Sequence, residues 1–437
     1  MIKNIRELLK TKTLSLPVML CGDNVFASVG VVVAAMLVVL PASASAGYFS
    51  AEAFPDSVAQ HDTVNVRFGT DFAQSDIAFR HFRHYFSLEV SEAYVPATSC
   101  FFRGVNQDLK DVTSAYTAHL KYAFSFPENS RQWRHYPGAY QGLGVSCAGF
   151  HSEGILGHPV SVYVFQGAPI ARLSQRLTLG YEWNFGASFG WKEDTDDFIS
   201  IVGSDINAYI NLGLKLGYQV SPSWRITAAL EGTHYSNGNT HMPNSGVNTL
   251  GLRVGGTYTV GNGDAADTRF SRGYNKSNEF KSGLSYDLVI YGATRSKVIY
   301  ESGDVLPGSF GIAGLSFAPM YDFHRLFRAG VSLDFQYDES GDIAKYKIEN
   351  LDHKYIRPDF YKCISGGISA RAEFVMPIFS VAVGVGHNFI GPSEYRRLYQ
   401  TLTLKTYVTS RMFLNIGYQL HDFSKPNNLM LGLGYRF

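Results

Sequence analysis

The sequence predicts an all-β chain that folds as a transmembrane, antiparallel, up-and-down β-barrel of about sixteen strands, within a range of about fourteen to sixteen. Three observations carry this. From Phe86 onward the chain breaks into segments of about ten or more residues in which apolar side chains alternate with polar or small ones, the period of a strand with two unlike faces. Only 17% of the residues are charged, against about 25% in a typical soluble domain, while Gly, Tyr and Phe are abundant. Past the N-terminus there is no run of about 20 apolar residues, so no transmembrane helix is expected, which leaves a soluble periplasmic protein or an outer-membrane barrel, and the first two observations favour the barrel.

The N-terminus reads as an address. Lys3, Arg6, Lys10 and Lys12 precede an apolar run over 25–40 and the small residues Ala44, Ser45 and Ala46, the pattern of a secretory signal peptide over 1–46 that is cleaved near Ala46. Leu20 stands where a lipoprotein signal has a small residue before its cysteine, so Cys21 is read as part of an ordinary signal. Roughly 390 residues then remain, enough for a large barrel. Residues 47–85 are polar and weakly patterned and form an N-terminal extension; 86–437 form the barrel. A net charge of +1 argues against nucleic acid as a partner. Cys100, Cys147 and Cys363 are an odd set, which leaves room for one bridge without saying which.

The alternation places strands at 86–94, 113–126, 139–149, 158–167, 176–187, 206–220, 223–236, 247–260, 283–293, 309–321, 326–338, 365–376, 379–389, 398–409, 411–421 and 427–437. The clearest apolar faces are Tyr116, Ala118, Leu120, Tyr122, Phe124 and Phe126; Leu177, Leu179, Tyr181, Trp183 and Phe185; and Phe327, Ala329, Val331, Leu333, Phe335 and Tyr337. Apolar outside and polar or small inside is the arrangement of a membrane barrel. Glu182, Arg328, Asp334, Arg371 and Glu373 then face the lumen, where a polar network is the expectation.

The connections give the orientation. Ser221-Pro222, 322–325, Pro377 and Ser410 are short, whereas 95–112, 188–205 and 339–364 are long and lie at the opposite end. Outer-membrane barrels have short periplasmic turns and longer external loops. The strand over 223–236 therefore runs outward and ends at the cell surface. The long 127–138 and 261–282 connections break this rule, and 261–282 raises the alternative of two eight-stranded barrels joined in series. A single closing segment with alternating Leu429, Leu431, Leu433, Tyr435 and terminal Phe437 favours one barrel. That ending resembles the signal read by the outer-membrane barrel assembly machinery, an expected partner.

The hairpin over 223–260 organises the functional reading. Its first strand puts Trp224, Ile226, Ala228, Leu230, Gly232, His234 and Ser236 on one face. His234 and Ser236 are side by side, the geometry a base needs to take a proton from a hydroxyl nucleophile, and they point to the apolar side. Asn248 shares the outward face of the second strand with Leu250, Leu252 and Val254. Glu231 lies on the inward face.

The run His-Tyr-Ser-Asn-Gly at 234–238, followed by Pro243-Asn244 and then Gly246 and Asn248, resembles the lipid A 3-O-deacylases of the PagL family. The likeness is sharpest over 206–260 and extends loosely from Phe86 to the terminal Gly-Tyr-Arg-Phe, as in longer, acyloxyacyl-hydrolase-like members. The resemblance implies an integral outer-membrane esterase that removes an acyl chain from lipid A of lipopolysaccharide. It makes Ser236 the nucleophile, His234 the general base and Asn237 a contributor to the oxyanion hole, with Asn239 and Asn244 in a loop that meets the substrate. The family's acid, a Glu, falls at Asn248. A neutral amide orients the imidazole but brings no charge to stabilise it once protonated. Such chemistry requires no cofactor and no metal. The alternatives are a non-catalytic outer-membrane channel or structural barrel on the same scaffold, and an esterase acting on phospholipid.

Elsewhere plain readings suffice. His81 and His84 lack companion ligands at metal-site spacing. Glu193, Asp194, Asp196 and Asp197 form an acidic external loop. There is no Gly-rich phosphate loop, no paired-cysteine metal site and no nucleophile elbow.

Overall fold

The structure, a computed structural model, describes residues 82–437 apart from 107, 128–129, 152–154, 193–200, 261–279, 281, 300–303, 307, 344–357, 393–396 and 424. The expected signal peptide, nearly all of the expected N-terminal extension, His81, the acidic loop and most of the 261–282 connection lie outside the described residues.

Every strand expected from the alternation is present. They are β1 (Arg83–Tyr94), β2 (Ser114–Ser125), β3 (Tyr140–Phe150), β4 (Gly157–Arg172), β5 (Leu177–Trp191), β6 (Asn207–Gln219), β7 (Trp224–Ser236), β8 (Val247–Val260) and β9 (Gly283–Arg295). A two-residue pair, β10 (Val298–Ile299) and β11 (Asp304–Val305), is followed by β12 (Phe310–His324), β13 (Phe327–Asp338), β14 (Ile364–Val375), β15 (Phe379–Ile390), β16 (Leu398–Tyr407), β17 (Met412–His421) and β18 (Lys425–Arg436). The faces are those expected: Leu120, Leu230 and Leu333 point outward and are exposed, while Lys121, Glu231 and Asp334 point inward and are buried. Among the described residues no helix is long and apolar enough to cross a membrane.

The closure into one ring is the expectation that fails. β1 to β8 close on themselves, with β1 paired to β8 through Leu88 and Gly256, and β9 with β12 to β18 closes as a second barrel in which Ile290 of β9 pairs with Leu433 of β18. The two-barrel alternative raised by the long 261–282 connection is the arrangement found. The interiors show why eight strands suffice. An eight-stranded barrel is just wide enough for its own side chains to fill. In the first barrel Lys121 meets Glu89 at 2.5 Å and Glu182 at 2.7 Å, Lys215 meets the same two carboxylates at 2.8 and 3.0 Å, and Arg253 meets Glu182 at 2.9 Å and Glu231 at 3.2 Å. In the second, Lys405 bridges Asp287 at 2.8 Å and Glu373 at 2.6 Å, Arg436 reaches Asp287 at 2.8 Å, and Arg371 reaches Asp334 at 2.8 Å. Of these, Lys121–Glu182, Lys215–Glu89, Arg253–Glu182 and both bonds of Lys405 cross the lumen between non-adjacent strands, which a wider ring would hold apart.

The barrels stand side by side. Tyr181, Trp183 and Phe185 lie on the outer face of β5, yet Trp183 is only 5% exposed, because it packs against Phe379 and donates from Nε1 to Met376 Sδ at 3.3 Å. Part of the apolar exterior is thus a protein seam and not a lipid surface. Cys147 and Cys363 are free thiols, so no bridge joins any two of the three cysteines weighed above. His84 accepts or donates through Nδ1 to Tyr122 Oη at 2.8 Å and stacks on that ring.

Candidate active site on the outer face of the first barrel

β7 starts at the short 220–223 turn and ends, at Ser236, among the long loops. By the loop-length rule this end is the external one. The strand end is held from inside: Tyr235 points into the barrel, where it lies 4.9 Å from the Trp191 ring and 5.4 Å from Tyr209 in an aromatic cluster. With Tyr235 anchored inward, the alternation leaves His234 and Ser236 no choice but to point outward.

The pairing of β7 with β8 sets His234 directly opposite Asn248. His234 Nδ1 and Asn248 Oδ1 are 2.8 Å apart, and His234 Nε2 lies 3.0 Å from Ser236 Oγ. An amide oxygen only accepts, so His234 donates from Nδ1, which leaves Nε2 without a proton and able to accept from the Ser236 hydroxyl. The three side chains form one continuous hydrogen-bonded chain on the outer wall. Below it on the same face, Leu230, Leu250 and Leu252 are exposed. Asn248 itself is buried, and its Nδ2 has no partner among the described residues. Glu231 faces the lumen and is bound by Arg253 and, at 3.1 Å, by Asn211.

Gly246 stands against this arrangement. Its φ is +70°, and a Cβ there would be 2.9 Å from Tyr235 O and 3.1 Å from His234 Cε1, so only glycine fits both the turn and the space beside the imidazole.

The 237–246 loop is shaped by its own asparagines. Asn244 Oδ1 accepts from the Asn237 main-chain N–H at 3.1 Å, Asn237 Nδ2 donates to His241 O at 2.9 Å, Asn237 Oδ1 accepts from Asn239 N–H at 3.0 Å, and Asn244 Nδ2 donates to Asn239 Oδ1 at 3.0 Å. The expected roles shift accordingly. The Asn237 main-chain N–H already has an acceptor, and Asn239 is buried with its side chain turned to Asn244 and not to a ligand. The sequence motif includes Gly246 without giving it a role, and it carries no sign that the loop's three asparagines bond to one another. Among the described residues no cluster of three or more His, Cys, Asp or Glu side chains could hold a metal ion.

Two closed barrels with apolar exteriors, one bearing a hydroxyl, an imidazole and an amide in line on its outer wall, define an outer-membrane β-barrel protein with a hydrolase-like constellation. Residues 116–257 match the family model "Lipid A 3-O-deacylase (PagL)", and residues 284–437 match "Acyloxyacyl hydrolase, C-terminal domain". The chain belongs to the PagL family of lipid A deacylases and acyloxyacyl hydrolases, and each barrel carries one of the two matches. No curated protein matches the sequence. Among solved structures it is similar to that of the outer membrane enzyme PagL, at 15% identity over 39% of this chain and 97% of that one, with a TM-score of 0.28. It is also similar to an outer membrane channel from Pseudomonas putida F1, at 11% identity over 81% of this chain and 94% of that one with a TM-score of 0.18. A third is CdiB from Acinetobacter baumannii, at 13% identity over 81% of this chain and 60% of that one with a TM-score of 0.17.

Proposed function

We propose that the protein hydrolyses an ester-linked acyl chain of lipid A in the outer leaflet of the outer membrane, through Ser236 and His234. The observation that carries this reading is the chain Ser236 Oγ, His234 Nε2, His234 Nδ1, Asn248 Oδ1, at 3.0 and 2.8 Å, on the outer wall of the barrel. In the first half-reaction the Ser236 oxygen forms a bond to the ester carbonyl carbon while its proton passes to His234 Nε2. The sugar oxygen then leaves with that proton, and the acyl group stays on Ser236. In the second half a water gives its proton to His234, attacks the acyl carbon, and a fatty acid leaves as Ser236 recovers its hydrogen. Asn248 holds the imidazole in the productive tautomer. The oxyanion needs donors; the Gly238 main-chain N–H, which has no acceptor among the described residues, and the second Asn237 Nδ2 hydrogen fill that role.

Substrate arrives by diffusion in the leaflet, with the exposed Leu230, Leu250 and Leu252 against its acyl chains. No cofactor takes part. The channel alternative has less support, because ion pairs cross both lumens. Export with cleavage near Ala46 and insertion by the assembly machinery through Phe437 complete the reading. The test is mass spectrometry of lipid A from cells making the wild type or Ser236→Ala. Loss of an acyl chain with the wild type alone supports the proposal, and identical acylation overturns it. Release of fatty acid from phospholipid in preference to lipopolysaccharide, with purified protein, would favour the phospholipid-directed alternative.

A further inference from the structure

We infer that the second barrel is a working part of the site on the first: Ser296 and Leu429 are positioning residues that hold the loop beside the nucleophile. This rests on the hydrolase reading of Ser236. Ser236 is followed at once by Asn237, Gly238, Asn239 and Thr240, and the last three of these touch the second barrel. The Ser296 main-chain N–H donates to Asn239 O at 2.8 Å, and Ser296 Oγ donates to Thr240 O at 3.0 Å. Ser296 directly follows β9, a strand of the second barrel. Leu429, on the outer face of β18, closes the other side: a Cβ on Gly238 would be 2.6 Å from its Cδ2. Leu431 and Leu433, next along the same outer face, are exposed, whereas Leu429 is half-buried, which marks where the loop covers it.

The covalent link between the barrels does not impose this contact. β8 ends at Val260 and β9 begins at Gly283, both at the short-turn end, while Ser296 and the loop meet at the opposite end. Gly238 and Asn239 have φ of +64° and +67°, so two successive residues sit in the left-handed region. Such a backbone persists only where its surroundings fix it. The two bonds from Ser296 fall on the carbonyls of Asn239 and Thr240, and so fix the direction of the peptide groups that follow the proposed oxyanion donor at Gly238. The second barrel thereby determines where that donor points.

The full-length protein, folded and supplied with lipopolysaccharide, tests this. Ser296→Ala is expected to lower kcat for fatty acid release by about 3- to 10-fold, the effect of one lost hydrogen bond, with KM unchanged, and Ser296→Thr to retain activity. Independently of activity, hydrogen exchange at the 238–240 amides is expected to quicken in Ser296→Ala and in Leu429→Ala. Unchanged exchange in both variants, or kcat equal to wild type in Ser296→Ala, overturns the inference, as does a Ser296→Thr variant as impaired as Ser296→Ala. If wild type and Ser236→Ala release equal fatty acid, the hydrolase reading fails instead, and the exchange measurement alone decides whether the second barrel holds the loop.

Discussion

His234 and Asn248 are opposed partners on neighbouring strands, joined side chain to side chain at 2.8 Å, and Asn248 takes the position that the family resemblance assigns to a carboxylate. An amide here accepts the imidazole N–H but offers no charge to an imidazolium.

Asn248→Glu is therefore expected to raise the rate of acyl release, by about ten-fold or more, because a carboxylate at this point stabilises the imidazolium that an amide only orients. Asn248→Leu, which leaves Nδ1 without an acceptor and frees the imidazole to turn, should lower it by a similar factor. Single-turnover release of fatty acid from lipopolysaccharide distinguishes the two directions, and equal rates in all three proteins would show that residue 248 has no part in the reaction.

Ser236→Ala and His234→Ala should each lower kcat by about a thousand-fold or more, and the double variant should be little worse than either, since the two side chains act as one unit. An additive loss in the double variant would separate them.

Gly246→Ala places a methyl group in the imidazole's space and strains a backbone at φ of +70°. A loss of stability of about 1–3 kcal/mol is expected, together with a fall in kcat, read by urea unfolding of the detergent-folded protein and by acyl release. Stability lost with kcat intact would show that the imidazole does not depend on this contact.

Glu182→Gln removes one charge from the first lumen, leaving Lys121, Lys215 and Arg253 with fewer partners. Breaking a buried pair from one side costs about 3–5 kcal/mol. The barrel's urea midpoint should fall accordingly, while the lipid-facing site, on the other side of the wall, should keep its KM.

Much of this was legible in the chain. The expected strand over 247–260 is β8 as found, and 223–236 differs from β7 by one residue. A period of two leaves little latitude, so the outward course of His234, Ser236 and Asn248, and the inward course of Glu231 and Glu182, follow from residue order alone. What escaped was non-local. Trp183 and Leu230 both point outward by alternation, but one meets Met376 and the other is exposed. The resemblance gave Asn237 to the oxyanion hole and Asn239 and Asn244 to a substrate loop, but their bonds to one another depend on how the loop doubles back. The charge balance within the first half, Glu89, Glu182 and Glu231 against Lys121, Lys215 and Arg253, was a signal for a closed interior of its own that alternation did not single out.

By itself the sequence determined where the strands lie, which face each side chain takes, and that an imidazole lies between a hydroxyl and an amide on the apolar side. These depend on bonds between near neighbours in the chain. Only the tertiary structure decided that β1 closes on β8, that a second barrel walls part of the first, and that Ser296 reaches the loop after Ser236. The physical reason is that a strand's edge offers the same N–H and C=O groups to any partner. Which partner it takes is settled by the packing of interiors and seams, whose contacts are far apart in sequence.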